Sequence, residues 1–200
     1  MKNLFLSILL MFFYTNSFAN DHKSKSKYFT MVDIHSDRDK LANEYISANL
    51  KIGKKAKKNI EYSLKVGSMR KENYDGSKTY LMNKVELQVK KSFKLASYFK
   101  PYVAARIGEK ISYDTSNFTY YTLDSGVKLP ITKKIAIDLG GRYRDAFANG
   151  NKYRSSRIHI MGLYELTKNN IIGLRFHDVT NAEYYGEDHK GWKLHYKHLY

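Results

Sequence analysis

The chain has 200 residues, which is enough for one domain or for one domain with a tail. Lysine and arginine number 35 against 19 acidic residues, so the formal net charge is +16, and tyrosine alone contributes 18 residues. The absence of cysteine excludes a disulfide scaffold and any cysteine-ligated zinc site. The aromatic content of 14% is far from the composition of a disordered chain.

Residues 1–19, MKNLFLSILLMFFYTNSFA, form the first recognisable element. A lysine precedes an apolar run over 4–14, and small residues at Ser17 and Ala19 fit a signal-peptidase site. The run is only about 11 residues, which is short for a transmembrane helix. We therefore predict a signal peptide that is cleaved after Ala19, followed by a short leader over 20–27.

From residue 28 onward, apolar and polar residues alternate with the period of a β-strand. For example, Ile135, Ile137 and Leu139 would share one face of a strand, whereas Asp138 and Arg142 would lie on the other. Turn-forming or charged stretches divide the chain into ten such segments. Their predicted bounds are 28–36, 44–53, 58–69, 78–89, 97–109, 117–129, 134–145, 154–166, 170–178 and 191–200.

Three features indicate a membrane barrel with charged side chains inside, rather than a soluble sandwich with an apolar core. The segments span about 9–13 residues, as tilted membrane strands do, whereas soluble strands average about five or six. The last segment, GWKLHYKHLY, alternates and ends in an aromatic residue, which resembles the assembly signal of Gram-negative outer-membrane barrels. Short connections also alternate with longer ones. The predicted short ones are 53–57, 90–96, 130–133 and 167–169, and the predicted long ones are 37–43, 70–77, 110–116, 146–153 and 179–190.

The predicted fold is therefore all-β: residues 28–200 form a ten-stranded antiparallel transmembrane β-barrel of the outer-membrane type. Hydrocarbon offers no partner to free backbone groups, so the sheet must close on itself. We expect the chain in the bacterial outer membrane, in contact with its lipids and lipopolysaccharide and inserted by the barrel assembly machinery through the C-terminal strand. Pro101 cannot donate a ladder hydrogen bond, so we place it near the periplasmic rim. Candidates for the aromatic girdles are Tyr62, Tyr121, Tyr143, Tyr164, Trp192 and Tyr196.

The polar phase of the strands carries more basic than acidic residues, which predicts a cationic lumen. A charged channel with low-dielectric walls raises the local concentration of counter-ions. Arg142 and Arg144 are the favoured constriction residues, because residues two apart share a strand face and guanidinium groups suit carboxylate or phosphate. The residues expected to line the lumen and contact anions are Arg106, Arg142, Arg144, Arg157, Arg175, Lys65, Lys128 and Lys193.

Two functions are compatible with such a lumen. The first is passive passage of small anionic solutes through a narrow pore. The second is a non-conducting structural or surface-interaction barrel, closed by ion pairs, that acts through the loops 70–77, 110–116 and 179–190 by adhesion or by contact with lipopolysaccharide. Barrels of eight strands are filled by side chains and barrels of sixteen hold a wide channel, so ten strands leave both open. We favour the first function.

Two stretches, YFKPYVAARIG and IAIDLGGRYRDAF, resemble the oligogalacturonate-specific porin family. The resemblance covers roughly residues 97–200 and rests on strand-plus-RYR patterns. It implies an outer-membrane barrel with an arginine-rich lumen that passes acidic sugar oligomers. Members of that family usually have twelve strands, whereas ten are predicted here.

An enzymatic alternative comes from the segment IIGLRFHDVTNAEYYGED, which is similar to the motif of outer-membrane lipid A deacylases. In that motif a histidine and a serine lie two residues apart before Asn-Ala. Aligning on Asn181 places Thr180 at the serine position and Asp178 at the histidine position, so His177 is displaced by one residue, which reverses the face of a strand. A nucleophile needs its base within reach, so we predict that the chain is not an enzyme.

No cofactor or metal site is predicted either. Glu187, Asp188 and His189 are three neighbouring polar residues in a loop, which we interpret as solvated. Nucleic-acid binding is not expected, because the basic residues are spaced along strand faces rather than clustered and the chain is predicted to be exported.

Overall fold

A computed structural model describes residues 27–113, 116–148, 150–183 and 188–200. Ten antiparallel strands form a closed barrel in which each strand pairs with its sequence neighbours and the first pairs with the last. The strands are β1 (Lys27–Asp39), β2 (Glu44–Lys55), β3 (Ile60–Glu72), β4 (Lys78–Ser92), β5 (Lys100–Ser112), β6 (Phe118–Pro130), β7 (Ile135–Ala146), β8 (Ser155–Thr167), β9 (Asn170–Thr180) and β10 (His189–Leu199). The predicted all-β, ten-stranded barrel is confirmed. The predicted signal peptide and the leader up to residue 26 lie outside the described residues.

The barrel has two ends that differ in their connections. At the terminal end, where β1 begins and β10 ends, the connections are 56–59, 93–99, 131–134 and 168–169. At the opposite end, which we call the loop end, the connections are 40–43, 73–77, 113–117, 147–154 and 181–188. Among the residues described, no helix is long and apolar enough to cross a membrane.

The predicted regular alternation of connection lengths is wrong for two connections. The connection 40–43 at the loop end is short, because β1 continues to Asp39, whose carboxylate accepts backbone N–H bonds from Leu41 and Asn43 at 2.9 and 3.0 Å. At the terminal end, the connection 93–99 is longer than its neighbours. Strand pairing thus extends further toward the loop end than hydrophobic alternation alone indicates.

Apolar side chains cover the outside of the barrel, and charged side chains fill the inside. Ile107, Ile158 and Phe176 point outward and are 61%, 70% and 56% exposed, whereas Glu86 and Lys110 point inward and are 3% and 0% exposed. This orientation is the one that a bilayer requires, because a lysine on the lipid face costs about 2–4 kcal/mol at the midplane. The predicted inverted arrangement therefore describes the barrel correctly.

Aromatic residues mark both ends of the outer surface. Tyr62, Tyr164 and Tyr196 lie on strand residues near the terminal end. Nearer the loop end, the rings of Tyr121 and Tyr143 lie 6.1 Å apart on β6 and β7. Two rows of this kind match the predicted girdles, since amphipathic rings favour the two membrane interfaces.

Pro101 is the second residue of β5 and lies at the terminal end, as predicted. Its carbonyl accepts a hydrogen bond of 2.8 Å from the backbone N–H of Phe93. The missing N–H of the proline therefore falls at the margin of the sheet, where its loss is tolerated.

Two apolar clusters pack inside the barrel among the described residues, and both lie at the loop end. One combines Tyr45, Met69 and Met82. The other combines Tyr120 with Tyr153, whose connection folds into the mouth of the barrel. Apolar packing therefore occupies part of the interior at the loop end, and the polar lumen lies between it and the terminal end.

Candidate functional site

The predicted lumen residues all carry inward-facing side chains. Seven of them border a single cavity of about 270 Å³, and Arg144 lies beyond it toward the loop end. The cavity extends from the middle of the barrel toward the terminal end, where Lys197 and Ile171 border it. The seven residues at the cavity are Lys65, Arg106, Lys128, Arg142, Arg157, Arg175 and Lys193.

Two of these bases are neutralised by a buried ion-pair network. Arg106 Nη2 lies 2.5 Å from Asp124 Oδ2, and its Nη1 lies 3.5 Å from Glu86 Oε2. Lys65 Nζ lies 2.5 Å from the same glutamate oxygen, and the Tyr120 hydroxyl donates to the other at 2.8 Å. Glu86 therefore joins the neighbouring strands β3, β4, β5 and β6 along one side of the lumen, and Lys65 and Arg106 have structural partners.

Lys193 is neutralised where the barrel closes. Its Nζ lies 2.6 Å from Asp33 Oδ2 on the neighbouring strand β1. Asn49 donates a 2.7 Å hydrogen bond to the other oxygen of Asp33. This carboxylate, which is 1% exposed, ties β10, β1 and β2 together.

Three arginines in the middle of the lumen differ from Arg106, because they lack a carboxylate partner in the part of the chain that the structure describes. Arg142, Arg157 and Arg175 come from β7, β8 and β9, and each lies within electrostatic range of another member of the group. Arg142 and Arg157 are directly opposite each other in the β7–β8 ladder. None of the three forms an ion pair with a carboxylate among the residues described, and their Nε atoms are buried without a hydrogen-bond partner. We call these three residues the arginine cluster.

Asp124 is the acidic residue placed nearest to the arginine cluster in the ladder, since it is opposite Arg142. Its carboxylate instead bonds to Arg106. Each guanidinium of the cluster borders the cavity, whose wall also carries Asp33 and Asp124, but these two carboxylates pair with Lys193 and Arg106. The middle of the lumen therefore concentrates positive charge that forms no ion pair with the described carboxylates.

Arg144 is part of the packing at the loop end. Its Nη1 donates a 3.2 Å hydrogen bond to the Tyr153 hydroxyl, and its guanidinium lies 4.0 Å from the ring centroid of that tyrosine. The Tyr153 ring meets Tyr120 edge-on at 4.8 Å and Phe118 at 5.1 Å. Burial raises the pKa of the Tyr153 phenol, so the hydroxyl stays protonated. Of the two predicted constriction residues, Arg142 borders the cavity and Arg144 lies beyond it, in the packing at the loop end.

The terminal half of the lumen is rich in lysine. Glu61 pairs with both Lys51, at 3.4 Å, and Lys197, at 3.2 Å. Lys90 lies over the ring of Tyr102, with 3.6 Å between its Nζ and the ring centroid. Lys128 also borders the cavity and forms no ion pair within the described ranges.

Sequence reasoning missed the acidic residues of β1. Asp33, Asp37 and Asp39 share one strand face, with His35 between the first two, and all three point inward with little exposure. The signal was present in the segment KYFTMVDIHSDRD, where the acidic residues are separated by even numbers of positions. These carboxylates lower the positive charge of the lumen below the value that the other nine strands indicate.

The deacylase-like motif is split between the two faces of β9. The His177 side chain is buried inside, whereas Asp178 points outward and pairs with Lys190 at 3.4 Å. Thr180 is exposed at the end of the strand. The one-residue displacement inferred from the sequence therefore separates these groups, as expected.

A scan against protein-family models gives no match, and a search of curated proteins also gives none. Solved structures do match. An outer-membrane channel from Pseudomonas putida F1 superposes with a TM-score of 0.57 at 7% identity, covering 92% of this chain and 98% of that one. The NanC porin superposes with a TM-score of 0.51 at 8% identity, covering 84% and 98%.

The chain has the fold of outer-membrane barrels. A third match, the β-domain of the Bordetella autotransporter BrkA, has a TM-score of 0.51 at 9% identity and covers 88% of this chain and 99% of that one. At such low identities the likeness concerns the fold alone. It confirms the sequence-based prediction of an outer-membrane type of β-barrel fold.

Proposed function

We propose that this chain is an outer-membrane porin-like barrel whose narrow cationic lumen admits and passes small anionic solutes. The proposal includes export by the signal peptide over 1–19 and residence in the bacterial outer membrane. The observation that carries it is the arginine cluster, whose three guanidinium groups border one cavity without a carboxylate partner among the described residues.

Unpartnered buried charge, as in the arginine cluster, is energetically unfavourable. A buried ion that lacks a partner loses its hydration and costs several kcal/mol, on the order of 3–5 kcal/mol when one partner of a buried pair is removed. Three neighbouring guanidinium groups also repel one another. A bound anion would relieve both costs, and carboxylate or phosphate groups match the planar fork of an arginine. The arginine cluster is therefore supported as an anion-binding site along the lumen.

The size of the cavity limits the solute. A volume of about 270 Å³ lies just below the range of roughly 300–1,000 Å³ that is typical of small-molecule sites. This favours small organic or inorganic anions over long acidic sugar chains. Passage of oligogalacturonate, which the family resemblance implied, does not follow from this cavity.

The charge pattern along the lumen would attract anions into the barrel from the terminal end. Lys128 and Lys197 border the cavity between that end and the arginine cluster. A lysine-lined entrance in a low-dielectric barrel focuses the field and raises the local concentration of anions. An anion would thus pass from lysines, which are mobile point charges, to arginines, which hold it in place.

Planar-bilayer recording tests the proposal. The purified barrel is expected to give discrete anion-selective current steps, and Arg142→Ala or Arg157→Ala is expected to reduce the anion preference. Arg154→Ala is the matched control, because Arg154 lies on the rim and pairs with Asp145 and Glu183 outside the lumen. Absence of current at high protein dose, or equal effects of the cluster and control variants, would contradict the proposal.

A second candidate is a non-conducting barrel, and a specific observation favours it. Tyr120 and Tyr153 are both 0% exposed and pack together in the mouth at the loop end. In that case the lumen would serve stability, and the rim would act by contact with lipopolysaccharide phosphates through exposed bases such as Lys152, Arg154 and Lys190. Silent bilayers, combined with binding to lipopolysaccharide that is lost on Lys190→Ala, would favour this candidate.

A further inference from the structure

A cluster of three histidines around one carboxylate lies inside the barrel, apart from the arginine cluster. His177 Nε2 lies 2.6 Å from Asp37 Oδ1, and His35 Nε2 lies 2.9 Å from Asp37 Oδ2. His189 Nε2 lies 3.3 Å from the same Oδ2 atom. The four residues come from β1, β9 and β10, which are adjacent in the closed barrel. We call them the histidine cluster.

The histidine cluster is buried and local to one carboxylate. The side chain of His177 is 0% exposed and that of His189 is 3% exposed. The sequence-based interpretation of His189 as a solvated loop residue is therefore wrong: it is the first residue of β10 and points into the barrel. His159 offers a contrast: it is directly opposite His177 in the β8–β9 ladder, yet its Nε2 lies 3.0 Å from Asp138 and forms no bond to Asp37.

We propose that His35, Asp37 and His177 bind a divalent transition-metal ion, with Zn²⁺ as the reference case. One ligand atom from each of these residues lies within 4.8 Å of the other two, which gives a donor set of two imidazoles and one oxygen. His189 contacts the same carboxylate and supplies the candidate fourth ligand. Zinc prefers four such ligands in a tetrahedron at about 2.0–2.2 Å. Neighbouring ligand atoms of such a tetrahedron lie about 3.4 Å apart, as follows from those bond lengths. The nitrogen-to-oxygen distances of 2.6 to 3.3 Å are hydrogen-bond lengths, so the ligand atoms would have to separate by less than about 1 Å to reach this spacing.

A second hydrogen bond orients the imidazole ring of His35. His35 Nδ1 lies 2.6 Å from Ser47 Oγ on β2. When a metal occupies Nε2, the proton resides on Nδ1, and the serine hydroxyl then accepts it. Metal-bound histidines nearly always donate their second N–H in this way, and the partner sets the tautomer and ring orientation.

The chemistry of the donors selects the class of metal. Imidazole suits Zn²⁺, Cu²⁺ and Ni²⁺, whereas Mg²⁺ and Ca²⁺ prefer oxygen ligands. The lumen around the cluster is cationic, and Lys84 and Arg175 lie within electrostatic range of His35. We therefore expect an affinity below that of a structural zinc site, which makes the ion exchangeable.

Metal binding to the full-length barrel in detergent tests the proposal, with Zn²⁺ and Mg²⁺ as probes. Calorimetry and metal analysis after dialysis are expected to give one Zn²⁺ per chain and no Mg²⁺. His35→Asn and His177→Asn are each expected to weaken Zn²⁺ binding by at least about 10-fold. His159→Asn is the matched control, because it removes an interior histidine that bonds to a different carboxylate.

Two further measurements separate binding at the cluster from adventitious binding. X-ray absorption of the loaded protein is expected to show a nitrogen and oxygen shell at about 2.0–2.1 Å. Binding is expected to weaken as the pH is lowered, because protons compete with the metal for the histidine nitrogens. Failure of the wild-type chain to take up Zn²⁺, or equal uptake by the double variant His35→Asn/His177→Asn, would overturn the proposal. Heat-modifiable electrophoretic mobility checks that each variant is folded. Metal uptake does not depend on conductance, so this test is independent of the proposed function.

Discussion

The two halves of the lumen are built from the same alternating strands, yet they differ in what fills them. At the loop end, Tyr153 enters from a connection and packs on Tyr120, so aromatic rings and Arg144 occupy part of the mouth. At the terminal end, lysines such as Lys128 and Lys197 border a hollow region. Alternation alone does not decide whether a small barrel is filled, because connections also contribute side chains to its interior.

Arginine residues inside the barrel also have two different roles. Arg106 forms ion pairs with Asp124 and Glu86 and therefore stabilises the packing of neighbouring strands. Arg142 and Arg157 face the cavity without such partners among the described residues. The same residue type, on the same inward phase, is thus structural in one place and available to a solute in another. The difference arises from which strands carry acidic residues opposite it.

The largest loss of stability is expected when the Glu86 carboxylate, which connects neighbouring strands inside the lumen, is removed. Glu86→Ala leaves Lys65 and Arg106 with fewer partners and removes the acceptor of the Tyr120 hydroxyl, so we expect the free energy of unfolding to fall by about 3–5 kcal/mol. Urea unfolding in lipid vesicles, followed through the single tryptophan, Trp192, measures it.

Glu183→Ala is the control for that variant. Glu183 lies at the rim and pairs with Arg154 at 3.9 Å, where solvent screens the interaction. We expect a change of about 0–1 kcal/mol. Equal losses for the two glutamates would mean that the lumen network does not stabilise the barrel.

A smaller effect on stability, with a large effect on transport, is expected when the loop-end packing is removed. Tyr153→Ala removes a buried ring, which costs about 3 kcal/mol, and opens the mouth above the cavity. Single-channel conductance is expected to rise. Tyr74→Ala is the matched control, because Tyr74 lies in another loop-end connection and is 84% exposed. Unchanged conductance in Tyr153→Ala would show that this tyrosine does not block the lumen.

The smallest effect on stability is expected at the terminal end. Lys128→Gln removes a charge that has no ion pair among the described residues, so the free energy of unfolding is expected to change by less than about 0.5 kcal/mol. The reversal potential in a salt gradient is expected to shift toward lower anion preference. Lys133→Gln, in the exposed connection 131–134, is the control. A shift of the same size in the control would assign the selectivity to surface charge rather than to the lumen.

Much of the barrel could be predicted because the information is local. Each strand shows its two faces through residues such as Ile135 and Ile137 against Asp138, and this alternation follows from the pleat of the backbone. The predicted segments overlap all ten strands, and the predicted basic lumen residues all point inward. The phase of a side chain is decided by its own neighbours in the chain, so it requires no knowledge of the rest of the molecule.

The partners of the lumen residues could not be predicted in the same way. Lys193 meets Asp33 only because β10 closes on β1, and His177 meets Asp37 for the same reason, although their positions in the chain are far apart. Tyr153 fills the mouth because its connection folds inward. The sequence by itself determined the number of strands, their inward and outward faces and the excess of basic residues. Only the tertiary structure decided which charges pair, which arginines face a cavity and which aromatic side chains pack in the mouth. These contacts depend on closure of the sheet and on the register of its strands.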